Sequence, residues 1–260
     1  MRRLNIFAKG NVDVFDSLCH CRVGGAIVWN GINEVLRERG AGVMARVRHE
    51  PSTGGRGLLH PPELHSPLAA CPQALEPYSL ALQASGEAFA TDADAIVLSI
   101  LSDVSMRQHE SLETGGQVYI NHLDRLDAET SAWLARTHVR TELPTVEEAR
   151  SNLLEVISRI RARTQAPVLI YNVSPVGPGR IAHSFLGLED SLATRIRRFN
   201  LMLVEVSEAA GVSIVDVESV VAKAGADRVK HDFNHLTGEG NRLVAEEVLR
   251  VLEDYGLLDP

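Results

Sequence analysis

The chain has 260 residues, 45% of them hydrophobic and 23% charged, and its 34 acidic against 26 basic side chains give a formal charge of −8. That length gives one large domain with a sizeable core, here read as a single unit over 1–260, and the acidic balance excludes a nucleic-acid surface as the main business of the fold. No apolar run approaches the roughly 18 residues that a bilayer span needs, so no membrane partner is expected.

The first apolar stretch, Leu4 to Ala8, is cut short by Lys9 and reads as a strand, not a signal peptide. Cys19, Cys21 and Cys71 form an odd set with no disulfide framework, which points to a reducing cytoplasm. Cys19-His20-Cys21 is tighter than the usual zinc spacing, and neither a metal nor a cofactor is expected. Trp29, Ile32, Val35 and Leu36 share a helix face that ends near Gly40, with Asn30, Asn33 and Glu34 as capping groups at its start. Val43 to Val47 is a second strand, and the near-continuous run Ala95 to Leu101 is a strand buried on both faces. Thr145-Val-Glu-Glu148 has the form of a capping box opening a helix with Ala149, Leu153, Val156, Ile157 and Ile160 inward. Pro167 to Tyr171 is the next buried strand, and Asn172, just beyond it, is placed to line a pocket. Leu192, Ile196, Phe199, Leu203 and Val206 stripe a long helix closed by Gly211, with Arg195, Arg197 and Arg198 assigned to its solvent face. Val212 to Val217 is a fifth strand, and a last helix follows Thr237. This alternation predicts a three-layer αβα sandwich around a parallel sheet of about five strands.

Two connections, about 49–93 and 103–144, are too long for plain loops and leave C-terminal strand ends, where ligands bind in open α/β sheets; they are read as insertions walling a site. His20, His49 and His122 could reach that edge, but a lone His is more often structural, and none is given a role.

The segment with most chemical content is Asp232-Phe-Asn-His235-Leu-Thr-Gly-Glu-Gly240. It places an acid and an imidazole three residues apart on a loop pinned by the helix that Thr237 caps. The acid orients the imidazole, and the imidazole serves as general base.

D-x-x-H-L-T-x-x-G before a terminal helix resembles the last signature block of the SGNH (GDSL-type) hydrolases, in which these two residues belong to a Ser-His-Asp triad. The resemblance is strongest from about residue 145 onward and implies a flavodoxin-like strand order. Near the N-terminus two registers are open. With Gly10 on the family's first glycine, Asn11 takes the place of its Asp and Val12 that of its nucleophile. With Asp16-Ser17-Leu18 on Asp-Ser-Leu, the nucleophile is Ser17, at the cost of an irregular stretch of about six residues after the first strand; this register is narrowly preferred, with Asp13 as a polar group beside it. The family's oxyanion donors fall on Gly54 and on Ser102, the latter replacing an Asn.

The resemblance implies a hydrolase or acyltransferase acting on an ester-type bond of a small intracellular metabolite through Ser17, His235 and Asp232. The alternatives are an enzyme of specialised metabolism that uses the His235/Asp232 pair without a serine acyl-enzyme, and a catalytically silent ligand-binding protein. Oligomeric state is not legible.

Overall fold

The computed structural model describes residues 2–176 and 185–259. Its elements, in chain order, begin with β1 (Arg2–Lys9), α1 (Val12–Leu18), β2 (Cys21–Val23), β3 (Ala26–Trp29), α2 (Ile32–Glu38) and β4 (Val43–Glu50). Three short helices follow, α3 (Gly55–Leu59), α4 (Pro72–Leu75) and α5 (Leu80–Gln83), before β5 (Ala95–Ser99) and α6 (Leu101–Ser105). Next come β6 (His109–Ser111), β7 (Gln117–Val118), α7 (Ala128–Thr137), β8 (His138–Arg140), α8 (Val146–Arg161) and β9 (Val168–Tyr171). The chain closes with α9 (Leu192–Ala210), β10 (Ser213–Val215), α10 (Val217–Ala224), α11 (Ala226–Val229) and α12 (Gly238–Asp254).

β1, β4, β5, β9 and β10 form one parallel sheet in the order β10-β9-β5-β1-β4. Numbering only these five in chain order gives 2-1-3-4-5, the doubly wound flavodoxin-like order that was expected. Alternation along the strands divides the core. Leu4, Ile6, Ala8, Ala95 and Val97 face a cluster with residues of α1, α2 and α12. Phe7, Ile96 and Leu98 face the other way, onto Val156, Ile160, Phe199 and Leu203 of α8 and α9. A third, smaller core, with Leu68, Leu75, Leu80, Val118, Ile120 and Leu134, joins the segment between β4 and β5 to the segment between α6 and α8.

Local signals explain the long helices. Thr145, Ser191 and Thr237 each accept a backbone N–H at a helix start, and Gly211 ends α9 in the left-handed region at φ 61°. Glu148 does not complete the capping box; its carboxylate binds the Arg56 guanidinium instead.

Several expected boundaries move. Trp29 ends β3, and α2 begins at Ile32, because Gly24 and Gly25, both at positive φ, turn β2 into β3 as a hairpin. Asn33 does not cap; its amide bridges the backbone N–H and C=O of Ala45, at 2.9 Å each. β5 stops at Ser99, and Val217 opens a helix and does not belong to a strand. Arg195 is not on a solvent face: it is 8% exposed and donates to the carbonyls of Val104, Asp103 and Pro144, each at 2.8 Å.

Candidate active site at the C-terminal edge of the sheet

The topological switch point lies between β1 and β5, where connections leave in opposite directions, the place at which ligands bind in open α/β sheets. β1 passes into α1 with only Gly10 and Asn11 between them. A Cβ on Gly10 would lie 2.4 Å from Val14 Cγ2, so packing demands glycine there. Asn11 occupies the N-cap position without capping. Its amide instead donates to Ser102 Oγ at 2.8 Å and its carbonyl oxygen accepts the Ser52 N–H at 3.1 Å, while Ser102 Oγ donates to the Ser52 carbonyl at 2.9 Å. Three strand ends, those of β1, β4 and β5, are tied by this network. Asp13 turns back onto the start of α1, where its carboxylate accepts the Asn11 N–H at 3.0 Å and the Ser99 hydroxyl. Burial pushes its pKa upward against these bonds.

β1 therefore meets α1 without the irregular stretch that the Ser17 register needs, and Val12 is the first residue of the helix. Ser17 lies on the inner face of α1 with 0% exposure; its hydroxyl reaches the carbonyls of Asp13 (2.8 Å) and Val14 (3.1 Å) and the Tyr171 hydroxyl (3.0 Å). A hydroxyl so enclosed cannot attack a substrate from this position.

Gly54 and Ser102 do come to the same edge, but their donors are engaged within the protein. The Gly54 N–H donates to Ser52 Oγ at 3.1 Å, and the Gly55 N–H to Asp103 Oδ1 at 3.0 Å. Gly54 sits at φ 98°, and a Cβ there would lie 2.8 Å from the Asp103 carboxylate. Burial raises the pKa of Asp103 to about 6, against the bond from Gly55 and the charges of Arg195 and Arg56.

The Asp232–His235 loop is closed at its base by a bridge between Lys230 and Leu236 and by Thr237 N–H donating to the Val229 carbonyl at 2.9 Å. Asp232 Oδ1 accepts the amides of Asn234 (2.8 Å) and His235 (2.9 Å), and His235 Nδ1 lies 2.9 Å from both carboxylate oxygens. A carboxylate can only accept, so Nδ1 carries the proton and Nε2 is left as the basic nitrogen. Burial opposes the charge of Asp232, but the bonds from His235 and Asn234 outweigh it and hold the carboxyl below its usual range. Both side chains are about half exposed, at 51% for His235 and 50% for Asp232.

Asp16 went unassigned from sequence, although four residues after Val12 it shares that residue's helix face. Its carboxylate is within electrostatic reach of His235 and His20; half-burial raises its pKa, and a bond from Cys21 and those two imidazoles oppose the rise. Asn172 lies elsewhere, donating to Asp216 Oδ1 at 2.8 Å and lining a cavity of about 750 Å³ beside the edge strand β10 with Asn200 and Glu218. His49 is bound to the Gly10 carbonyl at 2.8 Å. Among the described residues no group of three His, Cys, Asp or Glu is placed to hold a metal ion, and no helix is long and apolar enough to cross a membrane.

No protein-family model matches the sequence, and no curated protein matches it. Solved structures do. An acetyl xylan esterase, AlAXEase, superposes with a TM-score of 0.53 at 14% identity, over 96% of this chain and 100% of its own. An alpha/beta hydrolase enzyme from the metagenome of Lake Arreo, Spain, gives 0.51 at 16% identity over 99% and 97%. The acetylxylan esterase Axe2 of Geobacillus stearothermophilus gives 0.51 at 11% identity over 95% and 93%. At such identities the likeness is one of fold: the chain has the α/β architecture of the SGNH-type hydrolases.

Proposed function

We propose that this protein is an enzyme on the SGNH-hydrolase fold whose acid–base unit is the Asp232–His235 pair and which works without a serine acyl-enzyme. The observation that carries the reading is the pair itself, an imidazole oriented by a carboxylate at 2.9 Å on an exposed loop. Val12 at the head of α1 and the enclosure of Ser17 support direct attack. In that reaction His235 Nε2 takes a proton from water or from an acceptor hydroxyl. The resulting oxygen nucleophile attacks the carbonyl of a small ester-type substrate, and the imidazolium returns the proton to the leaving group. The first outcome is hydrolysis and the second acyl transfer. Fold relatives that are acetyl xylan esterases make acetyl esters the first substrates to try.

Because the Gly54 and Ser102 donors are engaged, oxyanion stabilisation is reduced; one such donor contributes on the order of 2.7–4 kcal/mol. Turnover should favour esters with good leaving groups, such as aryl esters and thioesters. The test is a screen of aryl and alkyl acetates with wild type, Ser17→Ala and His235→Ala, alongside intact mass after a fluorophosphonate probe. The reading expects no adduct, aryl-acetate turnover that survives Ser17→Ala, and its loss in His235→Ala. An adduct abolished by Ser17→Ala, or turnover indifferent to His235, overturns it.

A further inference from the structure

Lys230 opens the loop that carries Asp232 and His235, and its side chain runs beneath that loop. Its ammonium donates to Ser174 Oγ at 2.6 Å, to the Pro175 carbonyl at 2.7 Å and to the Phe233 carbonyl at 3.3 Å. An ammonium has three protons to give, and these three oxygens take them. Two belong to the segment leaving β9, and the third belongs to the tip of the loop. Among the described residues the ammonium makes no ion pair, although Asp232 is near enough for its charge to act on it. Lys230 is half-buried, and taking a cation even partly out of water onto neutral oxygens is costly.

Several bonds of this loop differ in kind. The Lys230–Leu236 bridge, the His231 N–H donating to the His235 carbonyl and the Asp232 side-chain bonds all lie between residues 230 and 236. They fix the loop's shape. They do not fix where the loop lies against the sheet edge. The Lys230 ammonium ties it to the exit of β9, assisted by Phe233, which packs against the same core cluster as Val176.

We propose that Lys230 is a positioning residue that locks the Asp232–His235 loop against the exit of β9 through its ammonium group. The proposal rests on the acid–base reading for its functional meaning. Burial lowers the pKa of Lys230 to about 8, so as pH rises through that value the ammonium with three N–H donors gives way to an amine with two.

The test is nitrogen and proton NMR of the intact labelled protein, with the His235 ring signals assigned by their absence in H235Q. In wild type those signals show a step near pH 8, where Lys230 changes charge. K230M abolishes the step and speeds exchange of the Asn234 and His235 amides over wild type at one fixed pH. K230R abolishes the step and keeps those amides protected at that pH. Ser174→Ala, which alters neither the loop nor the lysine, removes an acceptor for the charged form and moves the step below its wild-type position. A folded K230M with unchanged protection overturns the proposal; if K230M does not fold, a step indifferent to Ser174→Ala overturns it. None of these readouts needs a substrate. A protein with no turnover therefore defeats the acid–base reading alone, and an active enzyme whose His235 signals ignore Lys230 defeats this proposal alone.

Discussion

Ser17 and Tyr171 share a hydrogen bond of 3.0 Å between α1 and β9, and neither has any exposed surface. Ser17→Ala leaves the Tyr171 hydroxyl buried without that partner, a loss of about 1–3 kcal/mol that urea unfolding should read as a lower midpoint at unchanged slope. Asp103 gives a second prediction at this scale. Its folded pKa, about 6, lies above that of an unfolded Asp, so the native state holds a proton that the unfolded chain has already released. Stability from this group is present below about pH 4 and falls as pH rises through about 6, by up to roughly 3 kcal/mol. Asp103→Asn should flatten that slope in unfolding curves taken across the window, even though the Gly55 N–H then bonds a weaker acceptor.

At the scale of elements, Arg195 of α9 does what its sequence position conceals. Its guanidinium collects the carbonyls of Asp103 and Val104 in α6 and of Pro144 before α8, and it lies over the Phe199 ring at 4.4 Å from the centroid. Arg195→Leu keeps some of the packing but strands three buried carbonyls, and a loss of about 3 kcal/mol or more in thermal or denaturant unfolding is expected. Three arginines in four residues read as a charged outer stripe because helical spacing cannot say where a neighbouring element's carbonyls will lie. The same blindness put Trp29 on a helix: its spacing to Ile32 fits, while the turn at Gly24 and Gly25 that makes a hairpin of β2 and β3 is a short signal beside it. The five sheet strands and α8, α9 and α12 were legible because their apolar periods are long and their caps are local. The Asp232–His235 contact could be read for the same reason, being set within four residues. The choice between Val12 and Ser17 could not, since it turned on whether β1 meets α1 directly, a question of register that the residues left open.

Over the whole molecule, the sheet edge carries Asn11, Asp13 and Ser102, and the segments after β4 and α6 bring together Tyr78 and Tyr119, whose rings meet edge to face at 5.0 Å. Gln83 holds these two segments together. Its amide nitrogen donates to the carbonyls of Tyr78 (2.6 Å) and Tyr119 (2.9 Å), and its oxygen accepts the Tyr119 N–H at 2.8 Å. The chain around it is also anchored to β1, since Lys9 donates to the Leu82 carbonyl at 2.9 Å and pairs with Glu50 at 3.0 Å. The small core of Leu68, Leu75, Leu80, Val118 and Ile120 is separate from the two cores that sandwich the sheet, so its opening need not unfold them. Gln83→Ala should thus loosen this unit selectively. Hydrogen exchange followed by mass spectrometry should show peptides spanning Tyr78 and Tyr119 exchanging faster, while those covering β1, β5 and β9 keep wild-type protection. Equal acceleration across the sheet would mean that the three cores open together. No change anywhere would mean that apolar packing, not Gln83, joins the two segments.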